Sequence, residues 1–395
     1  MTPEHPDSVP TRVRRWPTVV LSIVASVALV AAGLLAASAL ILARAPSATS
    51  LGDAKQGIWS SVTLSQPAAN GDGSPYQIYV KPGSSQNLMI FFGDGGLNWS
   101  DESATQPVTF SSSVFGGGNF YSPNVPFYIA NTFGGMLSTE SRNPFRDFTS
   151  VYIPTTTGDL GIGDGTASFR TDDGKTVTSE FNGYNNTSAA LAWVYANVAD
   201  PAKVLVAGSG TGGLTAAFWL SPVGDHYADA PLYEYSDSAY YAAADLAYVI
   251  DPVWHAQFEN RFGYSLTGTP LKDAVTFNTA RYGDRLTTLV SQSLLDKTNA
   301  AFSADLDDNS YSLQTGGDWN YGMKQTLRTM LKADQPPQLF LTDFGANRWG
   351  ETQHILAPSP AFWAASEDGV TLDAFLSRAV IDGHPVSAGV GYLTQ

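Results

Sequence analysis

The chain begins with one long apolar run and then changes to short apolar bursts separated by glycine- and aspartate-rich turns. Residues 16–43 carry no charged side chain. A helix of that length reaches across a bilayer core of about 30 Å. Arg12, Arg14 and Arg15 lie on its N-terminal side, and basic flanks stay in the cytoplasm. The pattern predicts a cytoplasmic tail over 1–15, a transmembrane signal-anchor over 16–43, a linker over 44–56, and one domain over 57–395 outside the cytoplasm. Ala43, Arg44 and Ala45 offer a small-x-small cleavage site that would make the domain secreted, but Pro46 follows directly and disfavours the cut.

Beyond the linker, residues 76–80, 87–92, 149–154, 203–207, 232–236 and 337–342 read as strands. The run 87–92 is continuously apolar after its first residue, as a strand covered on both faces requires. Residues 182–200 show helical spacing, and a second helix opens near Thr215. Strands alternating with helices predict an α/β fold: a mostly parallel sheet with helices on both faces and right-handed crossovers. Ligands of such sheets bind at the carboxyl ends of the strands. The glycine-rich segments 93–96, 158–163 and 208–213 each follow a strand and can meet there.

The segment Val204 to Leu214 has the shape of a nucleophile elbow, a strand turning sharply into a helix around G-x-S-x-G. Its central residue is Gly210, with Ser209 one position earlier. Gly208, Gly210 and Gly213 also fit a dinucleotide G-x-G-x-x-G, but the strand lies mid-chain and Glu234 is the only acid near the required spacing. As an elbow, the segment supplies the backbone N–H of Thr211 as one oxyanion donor, and the loop holding Gly95 and Gly96 supplies others. Of the histidines beyond the tail, His354 lies in a late loop, where the chain order nucleophile, acid, base places the base. Asp284 lies between elbow and base and is the expected orienting acid, with Asp237 and Asp343 as competitors.

The 21 basic and 36 acidic residues give a net charge of −15. Four and two of them lie in the first fifty residues, which leaves 17 against 34 beyond. So acidic a domain does not suit nucleic acid or anionic lipid. There is no cysteine, which excludes a thiol nucleophile and an iron–sulfur cluster. No acidic or histidine grouping has metal spacing, and Asp305 to Asn309 lacks the glycine and closing glutamate of a calcium loop. No cofactor or metal is expected. Tyr233, Tyr235, Tyr240 and Tyr241 read as core or as a platform for sugar rings.

Several of these segments together resemble the pectinacetylesterases, most closely their bacterial branch. Residues 89–99 are similar to that family's strand, glycine loop and tryptophan; Asn143 to Asp147 with Thr157, Gly158 and Asp159 to its central block; Asn182 to Asn186 to the helix before its elbow; and Thr352 to Leu356 to its late histidine loop. The resemblance implies an α/β-hydrolase with a Ser–His–Asp triad that deacylates a carbohydrate or a similar ester. On it His354 is the base, Asp284 the acid, and Gly95, Gly96 and Thr211 the oxyanion donors. The family serine falls on Gly210, its elbow cysteine on Ser209, its loop cysteine on Asn98, and a histidine on Gly161. Two functions follow as expectations. One is a slow carboxylic-ester hydrolase using Ser209 or a water activated by His354. The other is an inactive relative that binds a glycan or acyl ligand at the cell surface.

Overall fold

The computed structural model describes residues 44–108, 120–171, 173–241 and 246–394. The expected tail and anchor, 1–43, lie outside them. Among the described residues no helix is long and apolar enough to cross a membrane.

The centre is an eight-stranded sheet. Its strands are β1 (Ser60–Thr63), β2 (Gln77–Lys81), β3 (Asn87–Phe92), β4 (Thr149–Ile153), then, after a hairpin of β5 (Gly165–Arg170) and β6 (Thr176–Phe181), β7 (Lys203–Ser209), β8 (Leu232–Asp237), β9 (Leu286–Ser293) and β10 (Gln338–Thr342). Their order is β1-β2-β4-β3-β7-β8-β9-β10. The six strands from β4 to β10 pair in parallel, while β1 and β2 are antiparallel additions at one edge. Every residue of β4 and β8, and all but the first of β3 and β7, is buried. Successive side chains of a strand point to opposite faces, so both faces of the sheet are covered.

The crossovers are helical. α1 (Gly183–Asn197) leads into β7, α2 (Thr211–His226) joins β7 to β8, and α3 (Pro270–Tyr282) leads into β9. α4 (Lys297–Leu306) and α5 (Leu313–Met330) lie between β9 and β10. From β3 the chain passes to β4 on one side; from β7 it passes to β8 on the other. The strand order therefore reverses between β3 and β7, where open α/β sheets form their ligand crevice.

Two readings become more definite. The segment read as a linker is docked from Pro46 onward: Ser61 N–H donates to the Pro46 carbonyl at 2.8 Å, and Leu51 N–H donates to Asn197 Oδ1 at 2.9 Å. The four tyrosines 233, 235, 240 and 241 are core residues, all at or below 8% exposure.

Candidate active site

The site grows from the pairing of β3 with β7. Phe92 is opposite Gly208. Two residues further along each strand, Asp94 and Gly210 come side by side. Gly210 has φ 57° and ψ −128°, a sharp elbow that a non-glycine residue adopts only at a cost of about 1–3 kcal/mol. A Cβ placed on Gly210 would lie 2.6 Å from both Cγ and Oδ1 of Asp94. The Asp94 carboxylate thus fills the space that a side chain at the elbow would enter.

That carboxylate is held by the donors expected to form an oxyanion hole. Thr211 N–H donates to Asp94 Oδ1 at 3.0 Å and Thr211 Oγ1 donates to the same oxygen at 2.8 Å. Gly95 N–H donates to Thr211 Oγ1 at 3.1 Å, and Gly96 N–H reaches Oδ1 only at 3.5 Å. Gly95 must be glycine, because a Cβ there would overlap the Thr155 carbonyl.

The other oxygen, Oδ2, faces His354 Nε2 at 3.5 Å, an ion-pair contact too long and too poorly aligned to be a hydrogen bond. On the far side of the ring, Nδ1 meets Asp296 Oδ2 at 2.7 Å. Asp296 is fully buried, while the side chains of His354 and Asp94 remain 17% and 28% exposed. The arrangement is a buried acid, an imidazole and a reachable carboxylate in line.

The histidine loop is fixed by the sheet. Asp237, the last residue of β8, accepts the backbone N–H of Leu356 and of Ala357 on Oδ2, both at 2.8 Å, and Ser291 Oγ on Oδ1 at 2.7 Å. Thr352 N–H donates to the Leu295 carbonyl at 2.9 Å, which joins the histidine loop to the Asp296 loop.

Electrostatics follow from this enclosure. Burial disfavours charge on the His354 ring, but Asp296 and then Asp94 outweigh it and push its pKa up to about 10. Burial raises the Asp94 carboxyl as well, yet His354 and the Thr211 donors overcome that and hold it below the ordinary value. At neutral pH the Asp94 carboxylate therefore faces an imidazolium.

The expected residues separate into two groups. Gly210, Thr211, Gly95, Gly96 and His354 come together. Asp284 does not: it sits in an exposed turn, Gly283–Arg285, and accepts from Gln335 Nε2 at 2.7 Å. Asp296 stands beside the ring in its place. Of the competitors, Asp237 holds the loop backbone rather than the ring, and Asp343 is exposed after β10. Ser209 ends β7 and is buried; the ring nitrogens of His354 face Asp296 and Asp94 instead. Asp94 was missed although it lies inside a loop singled out for its glycines. Its signal was a lone acid in a backbone-donor loop beside an elbow without a side chain. Among the described residues no acidic or histidine group could hold a metal ion.

No family model matches the chain, and no curated protein does. Among solved structures, the 2.4 Å crystal structure of the Wnt deacylase Notum from Drosophila is similar. It aligns with a TM-score of 0.55 over 82% of this chain and 93% of that one, at 14% identity. The two proteins share the α/β-hydrolase-like fold.

Proposed function

We propose that this chain is a hydrolase in which a carboxylate on the β3 loop replaces the elbow serine: Asp94 is the nucleophile, His354 the base that later activates water, and Asp296 the acid that orients the ring. The observation that carries this reading is the 2.6 Å approach of Asp94 to a Cβ on Gly210. A reacting group stands where the elbow would present one, with an oriented imidazole behind it. The motif order that resembles bacterial pectinacetylesterases, and the fold shared with a deacylase, bring acylated carbohydrates and similar esters into the set of substrates to try, beside alkyl compounds. The N-terminal pattern adds a cell-surface setting, with the domain held outside the cytoplasm on the 16–43 anchor. Release of the intact chain by salt washing of membranes would count against that anchor.

One observation favours a second reading. Thr211 N–H and Thr211 Oγ1 both donate to Asp94, and the His354 ring faces it at 3.5 Å, so the carboxylate is held in place without a substrate, as in a binding module with no turnover. The two separate in a hydrolysis panel run on the full-length chain, with nitrophenyl acetate and primary bromoalkanes of two to eight carbons as probes. Turnover of any probe that falls at least about 10²-fold in both Asp94→Ala and His354→Ala supports the hydrolase. A panel without turnover, or turnover indifferent to both substitutions, overturns it in favour of binding.

A further inference from the structure

We propose that Asp94 attacks saturated carbon rather than an acyl carbon, so that the substrates are alkyl compounds whose leaving group departs as a stable anion, such as a halide or a sulfate. The inference rests on Asp94 being the nucleophile and adds the class of electrophile.

The argument turns on where the oxyanion donors point. Attack on an acyl carbon puts negative charge on the substrate's carbonyl oxygen, which needs free donors at that spot. Here the Thr211 N–H and Oγ1 are already on Asp94 Oδ1, at 3.0 and 2.8 Å, and the Gly95 N–H is tied to Thr211 Oγ1. Displacement at saturated carbon makes no oxyanion on the substrate and needs none of them. Asp94 Oδ2 forms a bond to carbon, the carbon–leaving-group bond breaks with its electron pair going to the leaving group, and an alkyl ester of Asp94 results.

The second half then uses the donors where they stand. His354 Nε2, 3.5 Å from Asp94 Oδ2, takes a proton from water, and the hydroxide adds to Cγ of Asp94. The negative charge appears on Oδ1, between the Thr211 N–H and Oγ1. Collapse expels the alkoxide, which takes the proton back from His354, and the Asp94 carboxyl then ionises onto the ring, which restores the carboxylate and the imidazolium. The sum is an alkyl compound and water giving an alcohol, the leaving anion and a proton. Before water is activated the resting imidazolium gives its proton to solvent, favoured because esterification removes the Asp94 charge beside the ring; this is the proton released in the sum.

The leaving group follows from the same geometry. Displacement is in line, so it departs on the face of the carbon away from Asp94, whereas His354 is on the Asp94 side. It leaves without a proton from the imidazole, which selects good anions.

The test uses the full-length chain and the same bromoalkanes in ¹⁸O-water. After many turnovers a chymotryptic peptide carrying Asp94 should gain ¹⁸O, and the first alcohol formed should carry unlabelled oxygen. His354→Gln should release about one bromide per chain and hold an alkyl adduct on Asp94, and Asp94→Asn should form none. Turnover of nitrophenyl acetate alone, or bromoalkane turnover with no ¹⁸O in Asp94 of the native chain, overturns the inference while leaving a hydrolase. No Asp94-dependent turnover of any probe overturns the hydrolase reading as well.

Discussion

The turn after β7 and the loop after β3 are neighbours with opposite side-chain content. The β7 turn keeps the strained backbone of a nucleophile elbow, φ 57° and ψ −128° at Gly210, but presents no side chain. The β3 loop sits among glycines and presents a carboxylate. Because Phe92 and Gly208 are in register, the two positions share one space, and only one of them can fill it. On the proposed reading the reacting group stands on the β3 loop rather than on the elbow, in front of the same imidazole.

Emptying the β3 loop has the largest expected effect. Asp94→Ala should lower hydrolytic turnover by roughly 10⁴-fold or more, as removal of a covalent nucleophile does; a steady-state rate on the bromoalkane panel measures it. Reversing the exchange sharpens the contrast between turn and loop. Gly210→Ser alone should bring no labelling by a fluorophosphonate, because its Cβ meets Asp94 at 2.6 Å, and should lower Tm. Gly210→Ser combined with Asp94→Gly vacates the space, and labelling at residue 210, read by mass spectrometry, should then appear. Labelling of the single variant would show that the two positions do not compete.

A smaller effect separates the two aspartates. Asp296→Asn should slow turnover by up to about 10⁴-fold, by disturbing the tautomer and charge of His354, while Asp284→Asn, in an exposed turn, should change it less than about two-fold. The smallest effect is on stability. His354 titrates at about 10 in the fold against an ordinary 6.5. A group whose folded value is raised stabilises fully below the unfolded value and loses that contribution as pH rises through the folded one. The charged groups facing it are Asp296, Asp94 and, more weakly, Asp237. The Tm gap between the native chain and His354→Gln should therefore be widest below pH 6.5 and close as pH approaches about 10. Asp94 acts in the reverse sense: held below its ordinary 3.8, it contributes above that value and loses the contribution in acid.

Apolar runs made the buried strands legible. β3 matches its expected bounds, 87–92, and β4, β7, β8 and β10 lie within one or two residues of theirs. The elbow and His354 were legible for a related reason, since both depend on local pattern. β9 was not. Its residues, Leu286–Ser293, mix threonine, serine and glutamine with leucine and valine, and no apolar stretch announces a strand. That omission displaced the acid. Asp284 precedes β9 and Asp296 follows it, and eight residues at about 3.3 Å each put the two at opposite ends of the strand. With β9 in place, the rule that sites lie at carboxyl ends selects Asp296. The role of Asp94 was hidden for another reason: it depends on the β3–β7 register, a long-range pairing that no local pattern encodes.

Asp296 has a second duty. Its Oδ2 meets the imidazole, and its Oδ1 accepts the Asn299 N–H at 3.1 Å, as the N-cap of α4. The aim of the ring is therefore tied to the cap of a ten-residue helix as well as to the sheet-held histidine loop. A tilt of that helix would move the carboxylate that faces Nδ1, so the seating of α4 bears on the imidazole.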